Sequence, residues 1–99
     1  MKLKWTDQAI DDLANIGDFI ALDSSNCAKI HVEKLIKKAK QIIKFPEADR
    51  IVPEYRNANL REMIVENYRI VYLLDKPKKM IFIITIFESH YLLSSKLKK

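Results

Sequence analysis

Residues 60–87 read LREMIVENYRIVYLLDKPKKMIFIITIF, and their two-residue period decides the fold. Leu60–Val65 predicts a strand, with Arg61 and Glu62 among apolar residues. Glu66-Asn67 is a tight turn. Tyr68–Leu74 is rich in β-branched and aromatic residues and predicts a second strand. Asp75-Lys76-Pro77-Lys78-Lys79 is a hairpin turn, and Met80–Phe87 is an almost uninterrupted apolar run. A run of that kind belongs at the centre of a sheet, covered on both faces. Three strands joined by tight turns predict an antiparallel meander.

Upstream of this stretch the period changes. Residues 46–58, PEADRIVPEYRNA, hold two prolines and little periodicity, and predict a loop. Before it, Ala28, Val32, Leu35, Ile36, Ala39, Ile42 and Ile43 form a helical stripe, with Lys29, Lys34, Lys37, Lys38 and Lys44 on the other face. Phe45-Pro46 ends that helix, because proline cannot continue it. Asp23-Ser24-Ser25-Asn26 breaks an earlier helix and caps this one. The earlier helix starts at Thr6 or Asp7, and Ile10, Leu13, Ile16 and Ile20 form its expected buried stripe. Its first-turn acids Asp7, Asp11 and Asp12 suit the positive end of the helix dipole. Lys2–Trp5 alternates lysine and apolar residues, as a short edge strand does. The order is β-α-α-β-β-β. The helical hairpin can bury its stripes only against the sheet. The expected class is α+β: an antiparallel sheet with an N-terminal helical hairpin packed on one face.

At 99 residues the chain is expected to form a single domain over 1–99, with residues 92–99 a short helix or a disordered tail. Its one glycine excludes phosphate loops of the Walker and dinucleotide-binding types, which need at least two. Cys27 is the only cysteine, and with two histidines and no cysteine pair neither a disulfide nor a zinc site is expected. The start, MKLKWTDQAIDDL, lacks the uncharged apolar core of a signal peptide, and no apolar run approaches membrane-spanning length. The expected setting is the cytoplasm, with no membrane contact and no metal or other cofactor.

Charge is distributed unevenly. Residues 1–49 hold eight lysines and eight acids, net zero, whereas residues 50–99 hold ten basic residues and five acids, net +5. All four arginines, Arg50, Arg56, Arg61 and Arg69, lie within residues 50–69. Arginine's planar fork suits carboxylate and phosphate, so an anionic partner is expected on this half. Arg69 is the one charge in the strand YRIVYLL, either paired with an acid on a wet sheet face or gripping an anion. His90-Tyr91 follow the buried strand, where a titrating imidazole could act as acid or base. Glu54, among the arginines, reads as an ion-pair partner or a general base. His31, beside lysines on the polar side of the second helix, reads as exposed and inert.

Taken together, W-T-x-x-A-x-x-D-L (Trp5–Leu13), F-P (Phe45-Pro46), R-x-V-P-E (Arg50–Glu54), R-E (Arg61-Glu62) and Y-R-I-V-Y (Tyr68–Tyr72), in this β-α-α-β-β-β order, resemble the RelE/ParE superfamily. Its members are toxins of bacterial type II toxin–antitoxin modules, associated with growth inhibition and plasmid stabilization. The resemblance runs from Trp5 to about Leu93. It implies a cognate antitoxin with an acidic, partly disordered segment, expected to meet Arg50, Arg56 and Arg61, which would otherwise contact RNA.

The branches of the superfamily differ in what they do. One is a ribosome-dependent mRNA endonuclease, an mRNA interferase. Its pattern falls here on Glu54, Arg69, His90 and Tyr91. In that chemistry the RNA 2′-OH is the nucleophile and no metal is required. Glu54 or His90 removes its proton, Arg69 holds the phosphate, and His90 or Tyr91 protonates the leaving oxygen. The other, ParE-like, branch inhibits DNA gyrase without nuclease activity, and the N-terminal half resembles it more. The Arg-His-Tyr set favours RNA cleavage, with Arg69→Ala expected to remove cleavage and leave the fold intact. The absence of any arginine beyond Arg69 favours the gyrase inhibitor; on balance RNA cleavage is the expected activity and gyrase inhibition the alternative.

Overall fold

The stretch from Leu60 onward forms the meander expected of it. In the computed structural model, which describes residues 1–90, β3 (Leu60–Val65), β4 (Tyr68–Asp75) and β5 (Met80–Glu88) pair antiparallel in sequence order. Before them come β1 (Lys2–Trp5), α1 (Asp7–Ala21), α2 (Ser25–Gln41) and β2 (Arg50–Ile51). The sheet order is β1-β5-β4-β3-β2. The expectations for Tyr91 and the tail 92–99 fall outside the described residues. No helix among the described residues is long and apolar enough to cross a membrane.

Two features depart from the sequence reading. The sheet is mixed, because β1 runs parallel to β5, with Lys2 opposite Met80 and Trp5 opposite Ile83. Nearly the whole chain separates these strands, so no hairpin turn dictates an antiparallel arrangement. A fifth strand, β2, also lies inside the expected loop and pairs antiparallel with β3. Two residues ahead of Val52-Pro53 are too few for a period to be read.

The face of the sheet under the helices carries the main core. Ile70, Tyr72 and Leu74 of β4 and Ile81, Ile83 and Ile86 of β5 pack there against Ala9, Leu35, Ala39 and Ile42. The interval from Ile83 to Ile86 is three where a regular strand has two. A bulge opposite Val71/Tyr72 absorbs the extra residue. Residues 80–87 read as continuously apolar because Ile84 and Phe87 pack on the other face.

The stripe of α1 is rotated from the one expected. Ala9 is fully buried and Leu13 and Ile16 pack on the core, while Ile10 is half exposed. The rotation follows from how α1 is tied to β5. Thr6 caps the helix by accepting the Ala9 N–H at 3.2 Å and donates its own hydroxyl to the Ile83 carbonyl at 2.7 Å. Asp12, expected as a first-turn acid at the helix N-terminus, is 4% exposed. One of its oxygens accepts from the Thr85 hydroxyl and from the Ile86 N–H at 3.1 Å, and the other from the Gln8 amide at 2.9 Å. The pairing of β1 with β5 ends at Ile83. Asp12 therefore supplies the acceptor that a longer β1 would have offered to Ile86. In α2, Ser24 is the N-cap within the expected breaker, and Leu35, Ala39 and Ile42 are buried as expected, but Ile43 is not. Gly17 lies where the helices cross: a Cβ there would stand 3.1 Å from a Val32 methyl.

Asp12→Ala should orphan a buried hydroxyl and a buried strand N–H, at about 1–3 kcal/mol for each. Asp12→Asn keeps one acceptor oxygen in place and should cost much less. Urea unfolding of the two variants checks this; equal losses would show that Asp12 acts through bulk alone.

Candidate functional site

The face of the sheet turned away from the helices has its own small core of Val52, Val71 and Phe87, with Tyr55, Leu60 and Ile84 against it. The segment after β2 builds this cover. Val52 is fully buried, and its N–H donates to the Leu60 carbonyl at 3.1 Å. A turn closed by the Tyr55 N–H on the Val52 carbonyl at 3.2 Å follows, and it carries Glu54 over the strands.

Under that turn lies a charged cluster. Period two places Glu62 of β3 and Arg69 of β4 on this face. Glu62 has no exposed side-chain surface. It must therefore be neutralised by direct partners, and it has two. One carboxylate oxygen takes the Arg69 guanidinium, including Nε at 3.0 Å; the other takes Arg50, its register partner on β2. Arg69 Nη2 also donates to both oxygens of Glu54, at 3.1 and 3.2 Å. The Arg69 guanidinium lies 5.0 Å over the Phe87 ring, the residue opposite it on β5, so that the cation also meets a π-face. Burial alone would lower the Arg69 pKa. Its hydrogen bonds to Glu62 and then to Glu54, and their charges, outweigh it and hold the pKa above its usual value.

The structure thus joins two of the four expected catalytic residues, Glu54 and Arg69, on the face opposite the helices. His90 is at the exposed end of β5, its Nδ1 3.4 Å from Glu88. Tyr91 lies outside the described residues. The arginine group expected to face an anion is largely engaged within the chain. Arg50 is bound to Glu62. Arg61 spends its fork on backbone carbonyls, donating to Ala58 at 2.8 Å and to Glu47 and Asp49 at 2.9 Å each. Arg56 is exposed on the loop. His31 has a neighbour after all: it stands 3.6 Å from Glu66, which Lys34 also pairs, and the Lys34 contact holds the Glu66 carboxyl below its ordinary pKa.

Glu62 and Tyr72 escaped the sequence reading as individual residues. The signal for Glu62 was a lone acid flanked at i±2 by Leu60 and Ile64 on one strand face, two strand positions from a lone arginine on the next strand. Tyr72 gave none, since a buried tyrosine in a strand is ordinary. Its hydroxyl meets the Asp49 carboxylate at 2.9 Å and the Pro46 carbonyl at 3.0 Å. Burial first, and then Asp49, push its pKa far up.

This geometry changes what Arg69→Ala should do. Instead of leaving the fold intact, it removes one of two partners from a buried carboxylate, which costs about 3–5 kcal/mol. The double variant Arg69→Met, Glu62→Leu removes the charge along with its partner and should lose less than Arg69→Ala alone. Chemical unfolding of both decides; an unperturbed Arg69→Ala would show that Glu62 does not need Arg69.

Comparison with known proteins agrees with the fold. The mixed sheet and helical hairpin are similar to the chromosomal ParDE toxin–antitoxin system from P. aeruginosa, with a TM-score of 0.74 at 23% identity over 89% of this chain and 95% of that one. They are also similar to the intact E. coli RelBE toxin–antitoxin complex (TM-score 0.63, 18% identity, 91% and 98% covered). The RelBE2 toxin–antitoxin complex of Mycobacterium tuberculosis is a further structural relative (TM-score 0.64, 14% identity, 88% and 95% covered). No curated protein matches the sequence. The family model described as the ParE toxin of the type II toxin–antitoxin system parDE matches residues 3–90, nearly the whole described chain. The chain therefore belongs to the ParE toxin family, within the RelE/ParE superfamily, and is the toxin of a type II toxin–antitoxin system.

Proposed function

We propose that this toxin acts by binding a protein target, DNA gyrase, and not by cutting RNA. The observation that carries the reading is the state of Arg69. A phosphate clamp must present uncompensated positive charge to a pentavalent phosphate. Arg69 is bound to Glu62 and Glu54 and is 5% exposed. With Arg50 included, the cluster contains two cations and two carboxylates, so its formal charge is zero. A phosphate would have to displace Glu54 and would then meet the charge of Glu62. The match to the ParE family supports the same branch.

One observation favours the second reading, metal-independent mRNA cleavage on the ribosome. Glu54 and Arg69 are in contact, 3.1 Å apart, on the face away from the helices. A general base next to a phosphate clamp is what attack by a 2′-OH needs. In that reading Glu54 swings off Arg69 when RNA arrives, and His90 or Tyr91 protonates the leaving oxygen.

Two assays on the same purified protein separate the readings: gyrase supercoiling, and primer extension on message in translating ribosomes. We expect supercoiling to be blocked and the message to stay intact, with His90→Ala and Glu54→Gln toxins still active on gyrase. Cleaved message that falls roughly 10²–10⁴-fold in yield with His90→Ala would establish the nuclease instead.

A further inference from the structure

A cationic surface also stands apart from the arginines. It lies at the other end of the helical face, around a groove between the α2–β2 connection and the β4–β5 turn. The groove has a volume of about 630 Å³, within the range of roughly 300–1,000 Å³ typical of ligand clefts. Phe45, Met1 and Leu74 give it an apolar lining, and Lys44, Lys76 and Lys79 stand around it. Phe45, in the connection after α2, is 71% exposed. Glu47 also borders the groove and is paired with Lys76 at 2.6 Å. Lys44 and Lys79 have no acidic partner among the described residues.

The groove is preformed. Its wall at residues 44–49 is pinned from below by the Tyr72 hydroxyl on Pro46 and Asp49 and by the Arg61 fork on Glu47 and Asp49. Its opposite wall is the turn in which the Lys79 N–H closes on the Lys76 carbonyl at 3.1 Å and the Lys79 carbonyl receives the Lys2 N–H at 3.0 Å. Lys79 has φ 54, a left-handed position where glycine is the relaxed residue. The chain keeps a cation there. A preformed apolar slot with fixed cations beside it binds with little ordering cost.

We propose that this groove is a docking site for the antitoxin, taking a bulky apolar side chain flanked by aspartates or glutamates. The proposal rests on the family reading, which supplies the antitoxin, and on charge complementarity, which selects an acidic segment. A second copy of this toxin is the wrong occupant, since it would set lysine against lysine. The chain's own residues 91–99 carry three lysines and no acid, and have the wrong sign too.

The test titrates the full-length toxin with its full-length cognate antitoxin, by calorimetry at low and high salt. Lys44→Glu with Lys79→Glu should weaken binding about tenfold or more and flatten its salt dependence. Phe45→Ala should weaken it by a similar factor with the salt dependence kept, and Arg50→Ala should change it less than either. These side chains are exposed, and thermal unfolding of each variant verifies the fold. If wild-type toxin binds tightly and the lysine reversal leaves Kd within about twofold, the groove is overturned and the family reading stands. If the wild-type chain does not bind the antitoxin at all, both fall. A wild-type dimer that the reversal dissolves would assign the groove to self-association and overturn the proposal.

Discussion

Glu62 is a carboxylate with no solvent-exposed surface in the middle of a sheet, and the organisation of one whole face follows from neutralising it. A buried charge is tolerable only with close partners of opposite sign. Arg69 reaches it from β4, and Arg50 reaches it from the edge. The Arg50 contact coincides with the two-residue pairing of β2 onto β3, so a strand too short to persist alone is held by an ion pair as well as by its ladder. Directly after β2 the chain turns, buries Val52, and brings Glu54 onto the remaining donors of Arg69. Two arginines and two glutamates bring the cluster to zero charge around a carboxylate that solvent cannot reach.

The two faces of the sheet solve the same problem in different ways. Under the helices, apolar burial dominates, and polar side chains serve to finish the edges of secondary structure. Thr6 and Asp12 satisfy β5 beyond the end of β1, and Tyr72 and Arg61 satisfy the carbonyls of the α2–β2 connection. On the far face, a few apolar residues surround an ionic cluster that gives the loop a single position. A toxin that works by presenting a surface to a protein benefits from that rigidity. A nuclease would need the cluster to open.

The net charge of +5 therefore says less about where a partner binds than its arithmetic implies. The arginines that concentrate it are mostly consumed inside the fold, and lysines far apart in sequence become the accessible cations. Lys44 lies in the α2–β2 connection and Lys79 in the β4–β5 turn, and only the packing of the connection against the turn brings them to one groove.

The sequence by itself determined the element order, the strands of the meander, the helix caps and the superfamily, because each is written in local spacing and in residues near one another along the chain. The periods of two and of three to four residues record which side of an element meets the core. The Ser24 cap is a contact within one turn, whereas α2 stops at Gln41, short of the Phe45-Pro46 stop expected of it. Local pattern could not reveal the parallel pairing of β1 with β5, the two-residue β2, or the one-residue rotation of α1, since each depends on a contact between elements distant in sequence. The site behaved in the same way. Glu54 and Arg69 were legible as candidates by residue type and motif. That they bind each other was decided only in three dimensions, by Glu62, whose burial depends on strands from both sides and so leaves no local trace.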